Sequence, residues 1–80
     1  MFTRIITYDL SYADPDDYRD LYKLLEQYKA EQITESTYKI VTSDSWDDFK
    51  SKFYEVTKAG DNVKVIVLNK NNKMRVWKIR

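Results

Sequence analysis

The side chain best placed to do chemistry is Asp9. It ends the stretch Arg4 to Leu10, whose β-branched and aromatic residues predict a first strand, and a turn-forming Ser11-Tyr12-Ala13-Asp14-Pro15 segment follows it. An acidic group at the tip of a strand is held by rigid backbone while it meets solvent, which is where small α/β domains often carry their chemistry. A second acidic group, Asp14, Asp16 and Asp17, reads as metal ligands or as a helix start. The helix start explains all three, because Asp14 can cap, Pro15 suits the first helical position and the carboxylates favour the positive helix end.

Other chemistries are excluded by what the 80 residues lack. There is no cysteine and no histidine, which removes thiol catalysis, histidine-dependent triads and ordinary zinc sites. Gly60 is the single glycine, too few for a phosphate-cradling loop or a dinucleotide fingerprint. Carboxylate, hydroxyl and amine chemistry remains. No apolar run approaches the roughly 20 residues that span a bilayer, and the start carries no signal-peptide pattern, so a cytoplasmic protein with no membrane partner is expected. Abundant Lys, Asn, Tyr, Asp and Ile suit an AT-rich gene, as in some phages and low-GC bacteria.

The elements that must position these groups follow in order. Tyr18, Leu21, Tyr22, Leu25 and Tyr28 recur at helical spacing and predict a helix from about Pro15 to Lys29. From Glu31 to Thr42 the pattern turns to β, with two short strands bent near Glu35 to Thr37 preferred over one long bulged strand. Ser43-Asp44-Ser45 supplies caps for a second helix, whose Trp46, Phe49, Phe53 and Val56 form one aromatic-rich core stripe. Ala59-Gly60-Asp61 is expected to end it. Val63 to Leu68 is nearly all apolar and predicts a strand buried on both faces, then a turn over Asn69 to Lys73 and a last strand from Met74 to Ile79. The order predicts one α+β domain over residues 1–80, a ferredoxin-like βαββαβ sandwich with an additional C-terminal strand and two helices on one face of an antiparallel sheet. The opposite sheet face then lacks a cover, and homodimerisation through it, or exchange of the last strand, would supply one.

Charge divides along the chain. Residues 1–50 carry six Lys and Arg against eleven Asp and Glu, a net of −5, and residues 51–80 carry eight against two, a net of +6. Lys70, Lys73, Arg75, Trp77, Lys78 and Arg80 make the last hairpin a basic surface with an aromatic, suited to a phosphate backbone or to a protein partner. The same cations also guard an exposed edge strand, or pair with the acidic half of a partner chain.

Four segments carry a family likeness: Ile6-Thr7-Tyr8-Asp9-Leu10, the Asp17 to Leu21 helix start, Glu35 to Val41, and the Asp61-Asn62 to Leu68 strand. Together they resemble the SinR-like and VapD-like small proteins, which are similar to the small CRISPR-associated nuclease of the Cas-two type. The resemblance implies a ferredoxin-like homodimer in which the last strand packs on the other protomer. It also implies that Asp9, beside its copy across the dimer, is a catalytic residue and a magnesium ligand. The chain departs from that pattern in having Ser11-Tyr12-Ala13 where arginines commonly follow the aspartate. Relatives of this fold also serve as toxins, antitoxins or structural subunits.

Two functions are therefore expected. One is a non-catalytic homodimeric interaction protein, of the antitoxin, phage-encoded inhibitor or assembly-subunit kind, with a protein partner and no cofactor. The alternative is a magnesium-dependent endonuclease acting on RNA or DNA, with Asp9 contributed by both protomers and the basic hairpin holding the nucleic acid.

Overall fold

A computed structural model describes residues 1–10, 15–68, 71 and 73–80. Its elements run β1 (Phe2–Asp9), α1 (Pro15–Gln27), β2 (Glu31–Thr34), β3 (Thr37–Thr42), α2 (Trp46–Glu55), β4 (Asn62–Leu68) and β5 (Met74–Lys78). The fold is α+β, with five strands in one antiparallel sheet ordered β2-β3-β1-β4-β5. The expected capping role of Asp14 lies outside the described residues. The bend expected within residues 31–42 is present, between β2 and β3.

Strand alternation divides the sheet into two faces. Ile6, Tyr8, Ile40, Val63 and Val65 share one face and form the core with Leu21, Leu24 and Leu25 of α1 and Phe49 and Phe53 of α2. Phe49 and Phe53 are completely buried, with ring centroids 4.9 Å apart, so the aromatic stripe is core as its spacing predicts. Trp46 and Val56 pack at its margins. The inner face of α1 differs from the expected one. Leu24 is buried and Tyr22 is 45% exposed, because both helical rows through Leu21 and Leu25 fit the periodicity and the sheet takes the leucine row.

Local chemistry sets the helix ends. The Ser45 Oγ accepts from the Asp48 N–H at 3.2 Å, an N-cap. At the end of α1 the Ala30 N–H donates to the Leu25 carbonyl and the Lys29 N–H to the Glu26 carbonyl, a Schellman closure with Lys29 in the left-handed region at φ 53°. Contrary to the expectation from its position in the sequence, Gly60 does not end α2. Helix α2 stops at Glu55, and Gly60 at φ +96° turns the chain from Lys58 to Asp61. Helix termination falls instead to Thr57, whose hydroxyl donates to the Phe53 carbonyl at 2.8 Å, and to Arg80. The Arg80 Nη2 donates to the Tyr54 and Thr57 carbonyls at 3.0 and 2.9 Å, and its guanidinium lies 3.7 Å from the Tyr54 ring centroid.

Strand β4 also departs from the reading that buried both its faces. Val63 and Val65 are fully buried under the helices, whereas Lys64 is exposed and Ile66 half-buried on the other side. Among the described residues no second layer covers that side.

Candidate functional site

The uncovered sheet face is built from three rungs. Val41 and Thr3 begin one, and Met74 at the start of β5 lies at the same end of the sheet. Lys39, Ile5, Ile66 and Val76 form the second, and Thr37, Thr7, Lys64 and Lys78 the third. The Thr37 hydroxyl donates to the Thr7 Oγ1 at 3.3 Å, which confirms that these side chains share a face. Glu31 of β2 extends the second rung beside Lys39. The result is an aliphatic band flanked by lysines, with Val41, Met74 and Val76 49%, 69% and 60% exposed. At the Met74 end, a shallow groove of about 480 Å³ runs from Ile5 and Ile66 round the strand ends to Phe2 and Val67, which alternate to the helix side. Lys64 and Lys78 stand directly opposite one another, a like-charge pair that weakens the β4–β5 hairpin. No aromatic residue occupies a described position of this face. Phe2, Tyr8, Tyr38 and Trp77 alternate to the helix side.

Asp9 sits opposite Asn62 at the end of central strand β1, on the same face as Thr7 by alternation. It is exposed, and it lines a polar cleft of about 770 Å³ with Tyr8, Tyr18, Tyr22, Gln32 and Glu35. The Tyr8 hydroxyl donates to the Glu35 carbonyl at 3.2 Å and its ring stacks on Tyr38. Burial, then hydrogen bonding to Tyr22, pushes the Tyr8 phenol far above its ordinary value, so it stays neutral. Asp9 and Glu35 are the carboxylates of this cleft, and among the described residues no three metal-ligating side chains gather to hold an ion. No helix among them is long and apolar enough to cross a membrane.

The basic hairpin does not form one patch. Lys70 lies outside the described residues. Arg75 and Trp77 fall on the helix side, on rungs with Arg4 and Ile6, and Trp77 packs on Trp46 with ring centroids 5.7 Å apart. Lys78 falls on the uncovered face, Lys73 precedes β5, and Arg80 is folded onto the end of α2. Alternation along a strand separates neighbouring charges by a whole sheet thickness. Comparison with family models, with curated proteins and with solved structures finds no match to this chain.

Arg4 is a group that the sequence gives no reason to place in the core. It is only 4% exposed, on the helix side of β1, with its guanidinium carbon 4.7 Å from the Phe49 centroid, 5.0 Å from Phe2 and 5.8 Å from Trp46. Its Nη1 has no hydrogen-bond partner, and burial lowers its pKa. The nearby Asp44 carboxylate is committed elsewhere, accepting from Lys52 at 2.8 Å and from the Tyr28 hydroxyl at 2.6 Å, and these two hold it below the usual carboxylate value.

The sequence reading did not single out Ile5, Lys39, Val41, Lys64, Ile66 and Val76. Period-two alternation in β1 and β4 is the signal that finds them, once both helices are assigned to the other side. What this surface can do chemically is exclude water over a flat aliphatic area and place cations at its margin.

Proposed function

We propose that this protein is a small homodimeric interaction protein of ferredoxin-like fold that acts by binding a protein and not by catalysis, as an antitoxin, a phage-encoded inhibitor or an assembly subunit does. The observation that carries the reading is the composition of the uncovered face: Ile5, Val41, Ile66 and Val76, β-branched and without a single aromatic among its described positions. Nucleic-acid-binding sheets present aromatic rings on which bases stack. A flat aliphatic face suits another sheet packed about 10 Å away. The likeness to the SinR-like and VapD-like proteins supports the homodimer part of this reading.

Sedimentation velocity tests it, comparing the wild type with Val76→Asp, whose side chain is 60% exposed and not needed for the core. The wild type dimerises in the micromolar range, and the variant stays monomeric with an unchanged circular dichroism spectrum. A wild type that is monomeric at every concentration removes the reading.

A second reading rests on Asp9, which shares the uncovered face at the end of the central strand. A dimer formed through that face supplies two such carboxylates, the hard-oxygen donors that a magnesium-dependent endonuclease on RNA or DNA requires. Labelled RNA and DNA incubated with magnesium or with chelator, beside Asp9→Asn, decides it. Metal-dependent cleavage lost in the variant replaces binding with catalysis as the function.

A further inference from the structure

Among the described residues β5 is an edge of the sheet, in unbroken register with β4 over all five of its residues. Val63 fixes which backbone groups of β5 face outward. Its carbonyl accepts from the Ile79 N–H at 2.8 Å and its N–H donates to the Arg80 carbonyl at 3.4 Å, so both turn toward the last strand. Alternation along an antiparallel ladder turns Val65 and Val67 the same way, and their partners Trp77 and Arg75 bond inward. Carried through β4 to β1, the same alternation turns Tyr8 toward β3, where its N–H donates to the Ser36 carbonyl at 3.1 Å. Met74, Val76 and Lys78 therefore project their N–H and C=O groups from the edge. The opposite edge, β2, is blunted, with four residues and a register break between Gln32 and Thr34.

We propose that β5 receives an extended acidic segment of another protein as a sixth, antiparallel strand. The inference rests on the protein-binding reading and names its site and partner class. Residues 62–80 carry six Lys and Arg and no Asp or Glu, so the field at this edge favours carboxylates. Alternation splits the cations of β5, with Arg75 beside Trp77 on the helix side and Lys78 beside Met74 and Val76 on the uncovered side. A phosphate backbone cannot follow cations on two faces, whereas the side chains of an added strand alternate about the same edge and meet both. Such a strand sets carboxylates opposite Lys78 and Arg75 and aliphatic side chains opposite Met74 and Val76. Opposite Trp77, 44% exposed and packed on Trp46, it sets an apolar one. Cations on an edge ordinarily keep other strands away, and here they select for an acidic one. A second copy stacked on the uncovered face approaches at right angles to this strand, so the two contacts are independent.

The test uses the full chain and an acetylated, amidated probe peptide, Ser-Glu-Val-Val-Glu-Val-Ser. Laid antiparallel, it sets its glutamates against Lys78 and Arg75 and its valines against Trp77, Val76 and Met74. Amide hydrogen exchange read by NMR reports the added strand. In the free protein the Arg75 and Trp77 amides exchange slowly and those of Met74, Val76 and Lys78 quickly, and saturating peptide slows these three by about tenfold or more. Binding weakens about tenfold at low salt when the peptide valine opposite Val76 is N-methylated, or when lysines replace the glutamates. Val76→Pro, which loses an outward N–H, weakens it likewise, and Val76→Thr, which keeps the donor, does not. Edge amides unchanged by the peptide, or N-methylated or lysine peptides that bind equally well, overturn the proposal. Slow exchange of all three amides without peptide also overturns it, since a second copy then holds the edge. Sedimentation velocity on the same samples separates the two readings. A dimer whose edge ignores the peptide keeps the homodimer and loses the edge site, and a monomer that binds the peptide does the reverse.

Discussion

Replacing Arg4 by methionine stabilises the protein. Arg4 is 4% exposed, its guanidinium has an unpartnered Nη1, and it lies near a carboxylate already bonded to Lys52 and Tyr28. Burying a cation costs several kcal/mol, and leaving one of its N–H groups unbonded adds about 1–3 kcal/mol. Against this stand the faces of Phe49, Phe2 and Trp46, together about 2–4 kcal/mol for a desolvated guanidinium at these distances. Methionine of similar length keeps the packing and recovers about 1 kcal/mol through sulfur–aromatic contacts. The balance favours Arg4→Met by about 1–2 kcal/mol, which in a domain of this size raises the melting temperature by roughly 4–16 °C. Urea unfolding at neutral pH measures it, with an unchanged slope showing that the two states still differ by the same surface. Arg4→Lys is the control. Its compact ammonium loses the planar stacking and keeps the burial cost, so it destabilises. A loss of more than about 1 kcal/mol in Arg4→Met refutes the reasoning, because the charge would then contribute more through its partners than it costs.

Lys29→Gly removes a side chain from the left-handed position that closes α1 and stabilises by about 0.5–1 kcal/mol in urea unfolding, whereas Lys29→Val, β-branched at φ 53°, destabilises. Arg80→Ala removes the guanidinium from the Tyr54 and Thr57 carbonyls at the end of α2 and costs about 1–2 kcal/mol, with faster amide exchange in the last turn of that helix as the local signature. Asp44 is held below the usual carboxylate value by Lys52 and Tyr28, so its contribution is present above the unfolded-state pKa near 3.8 and is lost as pH falls through the lower folded value. Asp44→Asn is therefore less stable than wild type at pH 7, and the difference closes in the acid limb of a pH series of melting curves.

How much of this was legible depended on whether local pattern or tertiary choice decided the outcome. The Ser45 cap and the Phe49–Phe53 stripe follow from spacing alone, as does the pair of short strands on either side of Glu35 and Ser36, and all are present. Choices between equivalent local patterns were not legible. Leu24 and Tyr22 both fit the inner face of α1, and only the sheet beneath selects one. Gly60 is a good helix stop, but Arg80, far along the chain, closes α2 first and leaves the glycine to the following turn. The basic hairpin looks like one surface when read along the chain and becomes two when alternation is applied. Asp9 was legible as the tip of a strand. The cleft beside it was not, because Tyr18, Tyr22, Gln32 and Glu35 come from α1, β2 and the β2–β3 turn. Arg4 had no local signal, since a cation among β-branched residues ordinarily reads as the solvent side of a strand.

The middle position of β1 also sets the timetable of folding during synthesis. Both of its neighbours are made later, β3 about 35 residues on in the register Arg4 with Ile40 and β4 about 60 on in the register Arg4 with Val67. Until β4 has left the ribosome, one side of β1 has no strand to pair with, and its core residues Ile6 and Tyr8 wait for Val65 and Val63. Completion of the sheet around β1 therefore waits on its non-local pairing with β4, and until then an open β edge is exposed to pairing with a neighbouring chain.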